Sequence, residues 1–113
     1  MSEGQTSEAG FAEIVERNLP AIAELCRRFD VRRLDLFGSA ATGRFDPARS
    51  DLDFLVEFAE MPAGRYAKAC FGLREGLEQL FGRPIDLLTK SALVNPYLRR
   101  RIDSEKRTLY LSS

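Results

Sequence analysis

The chain has 113 residues, with 17 Lys or Arg, 17 Asp or Glu, and neither His nor Trp. This length predicts one domain with a single hydrophobic core. The absence of His excludes Ser–His and Cys–His nucleophile pairs, His-bearing zinc sites and an imidazole acid or base at neutral pH. Any catalysis must therefore use carboxylates, hydroxyls, Lys or Arg side chains, or a bound metal.

The balanced net charge conceals an uneven distribution along the chain. Residues 1–60 contain 7 basic and 12 acidic side chains, a net charge of −5, whereas residues 61–113 contain 10 basic and 5 acidic ones, a net charge of +5. This division fits a cation site in the first half and an acidic partner or a polyanion near the second. The net charges of the two halves, taken alone, are explained more simply by charged residues scattered over the surface.

The cysteines and the apolar runs indicate the compartment. Cys26 and Cys70 lie 44 residues apart and form no CxxC pair, which predicts small buried thiols in a reducing environment. No apolar run approaches the ~18 residues of a membrane span, and the polar, acidic start does not resemble a signal peptide. We therefore expect a cytoplasmic protein without a membrane partner.

The first half of the chain predicts two helices followed by two strands. Residues 1–8 are expected to form a flexible N-terminus and residues 9–113 the single domain. Apolar side chains follow helical spacing on both sides of Pro20, which predicts two short helices with Pro20 in the first turn of the second. Strands are predicted over Arg33–Phe37 and Asp51–Phe58. The second strand alternates, with a core side of Leu52, Phe54, Val56 and Phe58, and an opposite side of Asp51, Asp53, Leu55 and Glu57.

The second half predicts a turn, two helices and two strands. In chain order these are a turn at Met61–Gly64, a helix over Tyr66–Phe81 that ends at Gly82, a strand over Pro84–Thr89, a helix from the Asn95-Pro96 cap to about Glu105, and a strand over Thr108–Leu111. On the last helix, Tyr97, Leu98 and Ile102 are expected in the core. The order predicts an α/β (α+β) domain with a small mixed sheet of about four strands and helices packed on one face.

Two carboxylates leave the same face of the second predicted strand. Asp51 and Asp53 are two residues apart, so their side chains point the same way. Like charges at this spacing repel unless a cation lies between them, and oxygen ligands of this kind suit Mg²⁺. The pair indicates a metal site, although a D-x-D pair on a strand often only faces solvent.

A third carboxylate, Asp86, lies inside the apolar run Ile85–Leu88. We expect it in a central or nearly central strand, where a carboxylate needs a partner. If this strand neighbours the one that carries Asp51 and Asp53, three carboxylates converge and can hold two divalent ions for in-line displacement at phosphorus. The alternative is an ion pair between Asp86 and a nearby Arg or Lys.

The dipeptide Gly38-Ser39 follows the first predicted strand. Gly38 allows close approach of the backbone to a ligand, and Ser39 can cap a short helix whose free amides would bind phosphate. By itself a Gly-Ser pair is only a turn. The chain contains neither a G-x-x-x-x-G-K-[ST] loop nor a G-x-G-x-x-G motif, which disfavours Walker-type and Rossmann nucleotide binding.

In combination, these features resemble the minimal nucleotidyltransferase (MNT) group of the DNA polymerase β-like superfamily. The similarity rests on the run LFGSAATG at residues 36–43, on SDLDFLV at residues 50–56, and on a third Asp on a later strand, here Asp86. It spans roughly residues 20–111. One departure is the spacing from Ser39 to Asp51, where one residue more than is usual in small members falls in the loop 44–49 and leaves the roles of Arg44 and Arg49 undefined.

The resemblance implies a polymerase β-like nucleotidyltransferase fold and a set of site residues. Asp51, Asp53 and Asp86 would be catalytic and would hold Mg²⁺, as a two-ion site or with Mn²⁺ in its place. Gly38 and Ser39 would bind the nucleotide phosphates, with Ser50 at the turn before the strand. The implied reaction transfers a nucleoside monophosphate, with AMP from ATP as the first expectation, and Asp86 accepts the proton of the attacking hydroxyl.

The resemblance also implies a partner protein. Larger members of the superfamily add a domain that holds the acceptor, and little of this chain remains to form one, so we expect the acceptor on another protein. MNT proteins often pair with a small helical HEPN protein as antitoxin and toxin. This implies AMP transfer to the toxin or, alternatively, neutralisation by contact alone. Adenylation of a small molecule such as an aminoglycoside is a third hypothesis, a homo-oligomer is possible, and nucleic acid is disfavoured as a partner.

Three consecutive arginines, Arg99-Arg100-Arg101, point in different directions around the last predicted helix. They could meet an acidic partner or nucleic acid. A solvated helix face is the simpler interpretation of such a run.

Overall fold

A computed structural model describes residues 15–38, 52–89 and 95–112 of the chain. Within these ranges the chain forms three helices and four strands. Their bounds are α1 Leu19–Arg28, β1 Val31–Phe37, β2 Leu52–Phe58, α2 Ala63–Phe81, β3 Ile85–Thr89, α3 Pro96–Glu105 and β4 Arg107–Leu111.

The four strands form one mixed sheet in the order β3-β2-β1-β4. Strand β1 pairs antiparallel with both β2 and β4, whereas β2 and β3 are parallel. The parallel pair is connected through α2, as parallel neighbours require a crossover. The predicted α/β fold with a mixed four-stranded sheet is therefore confirmed.

The main core lies between one face of the sheet and helices α1 and α2. Burial follows the strand alternation, since Leu52, Phe54 and Val56 are all buried and Phe58 is packed against this core. Cys26 of α1 is fully buried here, and burial raises the pKa of its thiol to about 12. It is therefore a protonated core thiol at neutral pH, as predicted, whereas Cys70 is only partly buried.

Helix α3 covers the opposite face of the sheet. Its buried Ile102 packs with Phe37 of β1 and Leu55 of β2, which point away from the main core. The prediction that the helices pack on one face is therefore wrong for α3. The reason is that β1 and β2 each place an apolar side chain among the polar ones of this second face, and these need a cover.

Helix boundaries show where local signals decide the structure. Pro20 lies in the first turn of α1, and Gly82 ends α2 with a positive φ of 67°, both as predicted. At the start of α3 the Asn95 side chain accepts hydrogen bonds from the backbone N–H groups of Tyr97 and Leu98, at 2.9 and 3.4 Å.

Two local predictions are wrong. The turn at Met61–Gly64 is replaced from Ala63 onward by the first turn of α2, which is exposed and so lacks the apolar spacing that marks the rest of the helix. On α3, Ile102 is buried as expected, whereas Tyr97 is 79% exposed and Leu98 39%. Five residues correspond to about 140° of helix rotation, so Tyr97 faces away from the sheet when Ile102 faces it.

The predicted N-terminal segment 1–8 and most of the first predicted helix lie outside the described residues. Among the helices that are described, none combines the length and apolar character needed to cross a membrane.

Candidate active site

Asp53 of β2 and Asp86 of β3 are direct partners in the parallel register of the two strands. Their neighbours Leu52 and Ile85 point into the main core, so both carboxylates leave the opposite face of the sheet. Neighbouring strands lie about 4.8 Å apart, which brings the two side chains within reach of one shared ion. The two strands are neighbours, and the fold brings together two of the three carboxylates whose convergence was predicted.

The environment of Asp86 differs from the expected one. Strand β3 is an edge strand rather than a central one, and Asp86 is exposed. An exposed edge lets the carboxylate keep its water, so its place in an apolar run carries little desolvation cost. Asp86 makes no ion pair with any residue in the described ranges, so the alternative of a structural salt bridge finds no support there.

Gly38 brings the backbone that follows β1 against Asp53. It has a φ of 77°, which non-glycine residues rarely adopt. A Cβ atom at this position would lie 2.5 Å from Oδ2 of Asp53. Glycine is therefore required both by the backbone conformation and by the close approach to the carboxylate. The strand-end glycine and the D-x-D strand are in contact, as their combination in the sequence suggested.

The other predicted site residues, Ser39, Ser50 and Asp51, lie outside the described residues. Within the described part, no group of three or more His, Cys, Asp or Glu side chains forms a metal site. That part holds only two of the three predicted carboxylate ligands. The complete carboxylate triad and the phosphate-binding role of Ser39 remain predictions.

The residues present fit a divalent cation. Asp53 and Asp86 supply hard oxygen donors from adjacent register positions on one face of the sheet. Asp86 is open to solvent, so a hydrated ion can reach it. Hard divalent cations in proteins take oxygen donors of this kind, together with water and phosphate oxygens.

One further carboxylate on this face was missed by the sequence reasoning. Asp35 of β1 is 2% exposed and is the one buried charged side chain in the described part of the chain. The Arg33 Nε lies 3.1 Å from Asp35 Oδ2, and the Arg33 guanidinium also donates to Oγ1 of Thr108 on β4 at 3.0 Å. The signal was present, because Asp35 is flanked by Leu34 and Leu36 as Asp86 is by apolar residues. The ion pair lies within β1, and the hydrogen bond from Arg33 to Thr108 connects β1 to β4.

The model of the family described as "Nucleotidyltransferase domain" matches residues 21–110, which is most of the chain. Enzymes of this family use divalent metal ions, in agreement with the donor set of the site. A relative named protein adenylyltransferase MntA, from Thermococcus cleftensis, is 41% identical over 70 residues, or 62% of this chain and 67% of that protein.

Solved structures show the same fold. A protein described as a minimal nucleotidyltransferase superposes with a TM-score of 0.70 at 30% identity, over 93% of this chain and 98% of that one. An MNT antitoxin in complex with a tri-AMPylated HEPN toxin of Shewanella oneidensis gives a TM-score of 0.59 at 19% identity, over 87% of this chain and 73% of that one. The sequence match, the fold and the carboxylate pair beside a strand-end glycine agree: this chain belongs to the nucleotidyltransferase domain family and is a minimal nucleotidyltransferase.

Proposed function

We propose that this nucleotidyltransferase is a protein adenylyltransferase, which moves AMP from ATP to a hydroxyl group of a partner protein. We further propose that it is the antitoxin of a HEPN/MNT pair. The observation that carries the proposal is the register pairing of Asp53 with Asp86 on one face of the sheet, with Gly38 close against Asp53. The names of the relatives support protein as the acceptor, and the complex with a HEPN toxin supports the type of partner.

In the proposed site, Asp51, Asp53 and Asp86 hold Mg²⁺, as two ions or with Mn²⁺ as a substitute. When bound, the metal offsets the negative charge that the phosphates develop during transfer. Gly38 and Ser39 place backbone and hydroxyl donors at the β- and γ-phosphates, and Ser50 steadies the turn before β2 at the nucleotide.

The transfer step follows from the groups available. The acceptor oxygen forms a bond to the α-phosphorus of ATP, the bond between the α-phosphorus and the bridging oxygen breaks, and pyrophosphate leaves. The proton of the acceptor hydroxyl goes to a carboxylate oxygen of Asp86. With no His in the chain, a carboxylate is the natural base near neutral pH. The exposure of Asp86 leaves it accessible to a hydroxyl carried by another protein.

The proposal is tested with the protein encoded by the adjacent gene, Mg²⁺ and ATP labelled at the α-phosphate. We expect the wild-type chain to transfer label to this protein, and the Asp51→Asn/Asp53→Asn double variant to transfer at least about a hundredfold less. Glu57→Gln is the matched control. Glu57 lies on the same strand and face as Asp53 but four residues on, about 13 Å away. It should keep the wild-type rate.

Two outcomes would contradict the proposal. Equal labelling by the double variant would remove Asp51 and Asp53 from catalysis. Absence of labelling by wild type, together with protection of cells by the double variant against toxicity of the neighbouring gene product, would indicate a binding module that acts by contact alone. Transfer of label to an aminoglycoside in place of the protein would instead identify a small-molecule adenylyltransferase.

A further inference from the structure

The acceptor must approach Asp53 and Asp86 on the face of the sheet from which they project. Of the helices in the described ranges, α3 alone packs on that face, through Ile102 against Phe37 and Leu55. Helices α1 and α2 pack on the other face of the sheet, where the main core lies. A protein that delivers a hydroxyl to the carboxylates therefore meets α3 on its way in.

The side of α3 that points away from the sheet carries Tyr97, Arg100, Arg101 and Ser104, which we call the α3 outer surface. Helical periodicity places these residues on one side, opposite the buried Ile102. Tyr97 is 79% exposed, and Arg100 makes no ion pair within the described ranges. Arg101 has only a loose, exposed pair with Glu105 at 3.4 Å. The outer surface thus presents an aromatic ring between two arginines.

Positive charge continues from the outer surface down one flank of α3. Arg99 lies on this flank and, like Arg100, makes no ion pair in the described part of the chain. It lines a cavity of about 240 Å³ between α3 and the sheet, whose other charged lining residues are Arg33, Lys106, Asp35, Glu57 and Asp103. Arg33 pairs with Asp35 at 3.1 Å, and Lys106 pairs with Asp103 at 3.0 Å. The uncompensated cations of α3, counted within the described ranges, are therefore Arg99 and Arg100. Arg100 lies one turn from Tyr97 on the outer surface, and Arg99 lies on the flank that faces the cavity.

This composition is typical of a protein interface. Exposed Tyr and Arg are the residues that most often dominate protein–protein binding energy, whereas a nucleic-acid surface is marked by a run of cations without interspersed carboxylates. Asp103 and Glu105 on the same helix weaken the field that a phosphate backbone would need. The uncompensated arginines select a partner surface rich in Asp and Glu.

We propose that the α3 outer surface, with Arg99 on its flank, is the docking site for an acidic surface of the acceptor protein. This inference rests on the proposed function and names the part of the chain that holds the acceptor beside the carboxylates. It gives a role to the Arg99-Arg100-Arg101 run and explains why Tyr97 lies outside the core.

The test compares binding of the adjacent gene product to variants of two helices. We expect Tyr97→Ala and Arg100→Glu each to raise the Kd for this protein at least about tenfold, with a weaker salt dependence for Arg100→Glu. The matched controls lie on α2, behind the sheet: Phe71→Ala, whose ring is 70% exposed, and Lys68→Glu, also exposed. Both should bind within about twofold of wild type. Binding of ATP with Mg²⁺ should be unchanged in all four variants.

The outcomes separate the docking site from the proposed function. Wild-type affinity in Tyr97→Ala and Arg100→Glu would overturn the docking site even if AMP transfer is intact. A complex that forms normally but transfers no AMP would overturn the proposed function and leave the docking site supported. A third outcome would also contradict the inference. If Arg100→Glu abolishes binding of the chain to a labelled single-stranded RNA but leaves the protein complex unaffected, the arginines bind nucleic acid and not the acceptor protein.

Discussion

Gly38 shows how one residue connects backbone conformation with the chemistry of Asp53. Its φ of 77° is strained for any other residue, and a Cβ at this position would lie 2.5 Å from Asp53 Oδ2, so that the carboxylate would have to shift. We expect Gly38→Ala to displace the Asp53 carboxylate and to lower the rate of AMP transfer by about a hundredfold, since small displacements of catalytic groups have effects of this size. The same substitution should lower the free energy of unfolding by about 1–2 kcal/mol.

Gly82→Ala is the control that separates these two effects. Gly82 has a similar φ of 67°, but a Cβ there would have no neighbour within 4 Å. It should show a comparable loss in denaturant unfolding and keep the wild-type transfer rate. Equal loss of activity in both variants would mean that backbone strain, rather than contact with Asp53, explains the effect at Gly38.

The alternation of apolar and polar residues along β2 correctly predicted the face of the sheet from which Asp53 projects, because this pattern is local. The exposure of Asp86 could not be predicted in the same way. The apolar residues around Asp86 reflect the packing of β3 against the main core. The exposure of Asp86 itself depends on the position of β3 at the edge of the sheet. Asp35 has similar apolar neighbours but is buried, because β1 is central. The order of the strands in the sheet therefore decides whether such an aspartate is exposed or buried, and no local sequence pattern contains that order.

The contact between helices α1 and α2 depends on a glycine of α2. A Cβ at Gly72 would lie 2.5 Å from the ring of Phe29, just after α1. We expect Gly72→Ala to displace this half-buried ring and to lower the free energy of unfolding by about 1–3 kcal/mol, although alanine favours the helix more than glycine does. Urea unfolding followed by circular dichroism measures this difference.

Gly64→Ala on the same helix serves as the reference. A Cβ there has no neighbour within 4 Å, so the stability should be unchanged or slightly higher. A Gly72→Ala variant as stable as Gly64→Ala would show that Phe29 moves aside without cost and that the two helices tolerate a wider separation.

The helices themselves were largely predictable, since Pro20, Gly82 and the Asn95 cap act on their own turns. The side of the sheet on which α3 packs was not. The apolar content of α3 is low, and the apolar patch that Ile102 covers forms only when β1 and β2 bring Phe37 and Leu55 together on the second face. The prediction that Tyr97 lies in the core is wrong because α3 has too few apolar residues to define its buried side from the sequence.

For the molecule as a whole, the two halves of opposite charge meet on one face of the sheet. The acidic half contributes Asp53, and the basic half contributes both Asp86 and the arginines of α3. The proposed cation site therefore lies on the same face of the sheet as the surface proposed to bind an acidic protein. The division of charge along the sequence is thus converted by the fold into two groups of charged residues on a single face.

The most direct test is the rate of AMP transfer to the adjacent gene product by Asp86→Asn, measured beside Glu57→Gln. Asparagine keeps the size of the side chain but can neither accept the hydroxyl proton nor supply a charged ligand. We predict a fall of at least about a hundredfold for Asp86→Asn, with unchanged binding of the acceptor protein and a wild-type rate for Glu57→Gln. A wild-type rate for Asp86→Asn would contradict the assignment of the Asp53–Asp86 pair as the catalytic centre.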